Sequence, residues 1–162
     1  MHLLYYVLFS AGIVALDQFT KYLTVANIPL YADVPLLPGV VQLTYVQNTG
    51  AAFSLFQGMQ WMFVLVFLAL TAVLLWEYYC KPMPFTTFER VCLAAIYGGG
   101  LGNMIDRVRL GYVVDMIETQ FMVFPVFNVA DCFISCGCVI LMVHMVFFNK
   151  AFWKDERHDT AG

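Results

Sequence analysis

Charge is what this chain has least of. Eight Lys and Arg and eleven Asp and Glu leave it 12% charged and 62% hydrophobic, with a mean hydropathy of +0.77. Soluble domains carry about 25% charged and roughly 45 to 50% apolar residues, so a water-solvated globular domain is excluded. No basic cluster occurs, and with a net charge of -3 no nucleic-acid partner is expected. Cys132, Cys136 and Cys138 have neither the CxxC spacing nor the nearby histidines of a zinc site. Together with Cys80 and Cys92 they read as small side chains within or at the ends of apolar runs. Gly98, Gly99, Gly100 and Gly102 are not followed by the Lys-Ser/Thr pair of a phosphate loop, and instead suit close helix packing. No Lys or Arg precedes the first apolar run and no small-x-small site follows it, so a removed signal peptide is not expected.

Long apolar runs are what the chain has in quantity. A membrane crossing takes about 20 residues, and four runs qualify, at about 3–22, 59–79, 86–105 and 129–148. Trp61 stands at one end of the second, with Trp76, Tyr78 and Tyr79 at the other, as interfacial belts require. The chain therefore reads as an all-α polytopic membrane protein, a single domain over residues 1–162 with four transmembrane helices. Residues 27–58 break this pattern with Pro29, Pro35, Pro38, Gly39 and Gly50. Within them VVQLTYVQ alternates, the turn former Asn48-Thr49-Gly50 follows, and AAFSLF comes next, which reads as a β-hairpin at the membrane surface. Lys81, Arg90, Lys150, Lys154 and Arg157 fall on one side of a four-span arrangement, and Lys21, Arg107 and Arg109 on the other. Five against three places both termini in the cytoplasm and gathers the polar residues at the outer leaflet.

Those polar residues are concentrated between Gly98 and Asp131. Asn103, Asp106, Arg107, Asp115, Asn128 and Asp131 lie within 29 positions, although such groups are costly to desolvate. Asp115 and Asp131 are 16 positions apart, each after a short apolar run, and a return of the chain between them would make a proton-sharing carboxylate pair. Asn128 also suits the N-cap of the last helix, with Asp131 completing a capping box, which is a purely structural use for both. Asp17 and Lys21 are four apart on one helix face, either an interfacial ion pair or the start of a polar site. Arg107 is placed to hold a substrate carbonyl or to pair with Asp106, and His144, deep in the last span, suits a helix-to-helix hydrogen bond. Carboxylates in a membrane also mark proton paths. The alternative is therefore a small proton-coupled transporter, which would spread its acids along the membrane depth.

The successive segments LDQFTK, NTGAAFS, GNMIDR, VVD and FNVAD, from Leu16 to Asp131, resemble the motifs of the lipoprotein signal peptidases (signal peptidase II). The resemblance implies a four-helix aspartyl endopeptidase of the bacterial inner membrane. It implies cleavage of prolipoproteins on the amino side of a diacylglyceryl-modified lipobox cysteine, by a water that the dyad activates. By motif, Asp115 and Asp131 take the catalytic positions, and Asp17, Asn48, Gly50, Asn103, Arg107 and Asn128 the substrate-binding and supporting ones. It further implies that the first loop forms an extracytoplasmic β-cradle and that 113–122 includes a short segment over the pocket. Neither a metal nor a cofactor is implied, and the expected partners are the prolipoprotein substrate and membrane lipids, with the enzyme a monomer. Ser54, Gly100 and Glu118 depart from the family's commoner Gly, Ala and Asp, and none is part of the dyad.

Overall fold

A computed structural model describes residues 2–50, 59–80 and 82–151. Four helices, α1 (His2–Asn27), α2 (Gln60–Tyr79), α3 (Thr87–Leu110) and α4 (Val129–Phe147), accompany a sheet of β1 (Asp33–Leu37), β2 (Val41–Asn48) and β3 (Val113–Thr119). Its solvent logic is inverted. Leu, Val and Phe side chains of the helices point outward, whereas Asp17, Glu89 and Asn128 are wholly buried. Three helical stretches, Leu3–Asn27, Trp61–Tyr79 and Val129–Phe147, are long and apolar enough to cross a membrane. α3 carries Glu89, Arg90, Asp106, Arg107 and Arg109 and is the more polar helix.

Each helix ends for a local reason. α1 runs five residues beyond the expected 22, stopping at Asn27 because Pro29 disfavours helical backbone just before it. α3 starts on a Thr86–Glu89 capping box and continues past the expected 105 to Leu110. There Gly111, at φ +80°, closes it by donating its N–H to the Arg107 carbonyl, 3.1 Å away. The extension puts Asp106 and Arg107 on helix rather than loop, so both project from the same rigid element as Asn103.

α3 is the central helix, packed against α1, α2 and α4. Its glycines make this possible. A Cβ on Gly99 would lie 2.6 Å from the Ala130 carbonyl oxygen of α4, and one on Gly102 would lie 2.5 Å from the Asp17 carboxylate of α1. Ser10 adds a hydrogen bond from α1 to the Ala94 carbonyl of α3, at 2.7 Å.

The sheet has three strands. β2 is its middle strand, antiparallel to β1 on one edge and to β3 on the other, so the hairpin that forms is β1–β2, turning at Gly39 (φ +76°). The anticipated second strand of a hairpin across Asn48-Thr49-Gly50, residues 51–58, lies outside the described residues. Residues 113–122 are largely β3, in which Val113 to Met116 are buried, Val114 and Met116 forming the sheet core with Ile28 and Tyr45. Phe127 then doubles back and exchanges backbone hydrogen bonds with Ile117 at 2.7 and 3.0 Å. That return brings Asp115 and Asp131 to the same place.

Replacing Gly99 by Ala should cost about 1 to 3 kcal/mol, because the clash is with backbone that cannot rotate away. Gly12→Ala, with open space around it, should leave stability equal or slightly higher. Thermal unfolding in detergent checks both, and equal melting temperatures for the two variants would contradict the packing account.

Candidate active site

A cavity of about 530 Å³ opens where β2, β3, α3 and α4 meet, and Asn48, Asn103, Arg107, Asp115 and Asp131 supply its polar wall. Asp115 enters from β3 and is only 2% exposed, whereas Asp131, in the first turn of α4, is partly open to the cavity. Asn128, fully buried behind them, touches both. Its Nδ2 donates to Asp115 Oδ1 at 2.6 Å, and its backbone N–H donates to Asp131 Oδ2 at 3.1 Å. The capping box is real: Asn128 Oδ1 also accepts from the Asp131 N–H, 3.0 Å away. The cap thus also fixes Asp131 beside Asp115.

Every oxygen of the pair has a donor. Asn48 Nδ2 reaches Asp115 Oδ2 at 2.9 Å, opposite the Asn128 contact, and Asn103 Nδ2 reaches Asp131 Oδ1 at 2.8 Å. Burial raises the Asp115 pKa to about 6, and the neighbouring Asp131 charge raises it too, against the lowering by Asn48 and Asn128. Arg107 sits at the rim, with Nη2 donating to the Gly50 carbonyl at 2.9 Å and its guanidinium 4.2 Å from the Phe63 ring centroid. Gly50 thereby contributes backbone only, its N–H going to Asn48 Oδ1 at 2.9 Å. Apolar Phe124 and Val126 also line the cavity, as do Cys132, Ser135 and Cys136 of α4.

Asp17 is in the network but not in the cavity. It lies behind Asn103 and accepts the Ala130 N–H of α4 at 3.1 Å, tying α1 to the same helix turn that carries Asp131. Its partner Lys21 is only 3% exposed. The ammonium lies 2.9 Å from each of Asp17 Oδ2, Asp106 Oδ2 and Asn103 Oδ1. Asp106 therefore takes an ion pair from Lys21. Asp106 also accepts from Gln18 Nε2 at 2.9 Å and from the Val114 N–H at 3.1 Å, so it holds β3 next to α3.

Lys21, Gln18 and Asp106 are the residues whose importance the sequence understated. Their signal was spacing. Asp17 and Lys21 share a face of α1, and Asp106 follows Asn103 by three positions on α3, so two short helical stripes face each other. Asp17, Asp106, Asp115 and Asp131 gather in one network, whereas Glu89 lies at the far end of α3, accepting from Asn149 at 2.7 Å. Its other oxygen is 3.0 Å from His144 Nδ1, the helix-to-helix contact expected of that histidine. Among the described residues no group of three His, Cys, Asp or Glu side chains is arranged to hold a metal ion.

Comparison with known proteins gives a consistent set of similarities. The family described as "Signal peptidase (SPase) II" matches residues 9–147. The lipoprotein signal peptidase of Enterococcus faecalis is 42% identical over 158 residues, covering 98% of this chain and 97% of that protein. That of Streptococcus pyogenes serotype M2 is 41% identical over 145 residues, covering 89% and 90%. Among solved structures, a bacterial membrane enzyme determined by the in meso method at 2.3 Å resolution superposes with a TM-score of 0.82 at 27% identity, covering 90% of each chain. Another, at 1.9 Å resolution, gives 0.77 at 28%, covering 90% and 94%.

Lys21→Met should destabilise the protein by about 3 to 5 kcal/mol, since it strands two buried carboxylates. Lys21→Met/Asp17→Asn should recover part of that loss, because Asp106 keeps Gln18 and Val114 as donors. Unfolding midpoints of the two variants measure this, and a double variant no more stable than the single one would contradict the ion-triad account.

Proposed function

The chain belongs to the signal peptidase II family, the peptidases that remove signal peptides from lipoproteins, and on that premise we propose that Asp115 and Asp131 are the catalytic dyad. The protein is a multi-pass integral membrane hydrolase. The observation that carries the dyad is Asn128, one buried residue hydrogen-bonded at once to both carboxylates.

Two adjacent carboxylates share one proton, because the second ionisation must be made against the first charge. The proton resides on Asp115, the more deeply buried partner. Asp131, ionised and more open to the cavity, takes a proton from a bound water as the water oxygen attacks the scissile carbonyl carbon. Asp115 gives its proton to the carbonyl oxygen, forming a neutral tetrahedral diol. On collapse, Asp131 returns its proton to the leaving nitrogen and Asp115 recovers one from a diol hydroxyl, so the dyad is regenerated. Arg107 anchors the Gly50 carbonyl beside Asn48 and keeps that wall of the cleft in place.

The substrate is a diacylglyceryl-modified prolipoprotein, cut on the amino side of the lipidated lipobox cysteine. The cleft suits it: backbone polar groups and the dyad occupy one wall, and Phe124, Val126 and the lipid-facing side of α4 offer apolar surface to acyl chains. With 24 residues α3 is about 36 Å long, enough to cross a hydrocarbon core of about 30 Å, and it is the fourth span. Residues 1–162 form one domain that acts as a monomer in the bacterial cytoplasmic membrane. The distribution of Lys and Arg puts both termini in the cytoplasm and the dyad near the outer leaflet, under the β-cradle formed by β1, β2 and β3.

With a diacylglyceryl lipobox peptide, Asp115→Asn and Asp131→Asn should each lower cleavage by on the order of 10² to 10⁴ while the protein stays folded. A chelator should have no effect. More than a tenth of wild-type cleavage in either folded variant would remove that residue from the dyad. Because Asp115 titrates at about 6, kcat/KM should fall as pH rises through that value and the shared proton is lost. A bound substrate excludes water and raises the pKa further, so kcat should fall at a higher pH than kcat/KM. Coincident alkaline limbs at pH 8 or above, about two units from the Asp115 value, would contradict the assignment.

A further inference from the structure

We propose that Lys21 is a positioning residue of the peptidase reaction, acting through Asn103 to aim a hydrogen-bond donor at Asp131. The inference rests on the dyad reading above and deepens it. An amide side chain offers an oxygen on one side and an NH₂ on the other, and only one orientation of Asn48, Asn103 and Asn128 supports the dyad. In each, the oxygen is claimed by a group that can only donate. The Gly50 N–H holds Asn48 and the Asp131 N–H holds Asn128, both through backbone. Asn103 differs: its oxygen is held by side chains, Lys21 Nζ at 2.9 Å and Asn128 Nδ2 at 3.1 Å.

A flipped Asn103 would set its NH₂ against the Lys21 ammonium and its oxygen against Asp131 Oδ1, donor on donor and acceptor on acceptor. The ammonium forbids that orientation. Its three hydrogens meet three acceptors, and the third, Asn103 Oδ1, is not needed for the ion pairs with Asp17 and Asp106. The third hydrogen of this buried ammonium needs an acceptor, and the one it meets is the amide that donates to Asp131. The charged groups around this contact are Asp17 on α1, Asp106 and Arg107 on α3, and the dyad itself.

The test is a cycle on full-length enzyme between Lys21→Met/Asp17→Asn, which leaves the net charge unchanged, and Asn103→Ala. Each arm should lower kcat by roughly 10- to 100-fold, as misplacement of a catalytic group does, with KM within about threefold. The combination should be no worse than Asn103→Ala alone. Losses that multiply, or a Lys21 arm that keeps the wild-type kcat, would overturn the inference and reduce Lys21 to a structural ion. If the Lys21 arm does not fold, Lys21→Met/Asp106→Asn, which also leaves the net charge unchanged and leaves Asp17 with the Ala130 N–H and Gln18 as donors, takes its place in the cycle and is judged by the same readouts. An unaltered enzyme that does not cleave would instead bring down the peptidase reading, and this inference with it.

Discussion

A carboxylate carried into a low-dielectric helix bundle stays ionised only where donors meet it, and one end of this molecule is arranged around four such groups. Asp17 and Asp106 are met by Lys21, Asp115 by Asn48 and Asn128, and Asp131 by Asn103 and the N-terminus of α4. The donors are unequal by design of the fold. Two carboxylates share one buried cation. The other two are hydrogen-bonded by neutral amides and backbone, and in the proposed reaction these are the two that divide one proton.

The same constraint explains the packing. For the side chains of α1, α3, α4 and β3 to reach one another, the backbones must come close, and Gly99 and Gly102 remove the atoms that would prevent it. Asp17 bonds the α4 backbone, Asp106 bonds the β3 backbone, and Asn128 links β3 to the cap of α4. These polar contacts to buried carboxylates also lock pairs of elements together. Stability and site geometry are therefore one network, and a substitution in it registers in both.

Much of this was legible in the sequence. The apolar runs located the helices because membrane-facing surface leaves an unbroken compositional trace, and the capping-box pattern at Asn128 and Asp131 is local enough to read directly. Asp115 and Asp131 stood out because charge is rare here. What was not legible depended on contacts between distant segments. β2 alternates, but nothing local says that 33–37 and 113–119 are partners of it. Lys21 and Asp17 satisfy the spacing of an ordinary helix-end ion pair, and only the approach of α3 at Gly102 turns them inward. Arg107 and Asp106 are adjacent in sequence, yet successive helical positions point about 100° apart, so Asp106 meets Lys21 and Arg107 meets Gly50.

The account stands on a single proton held between Asp115 and Asp131. Infrared difference spectra of the membrane-embedded enzyme, taken across pH 6 for the wild type and for Asp115→Asn, observe that proton directly. The account predicts a protonated-carboxyl band in the wild type that titrates away at about 6 and is absent from the variant. A band that persists in Asp115→Asn, or a wild type with no titrating carboxyl in that range, would contradict it.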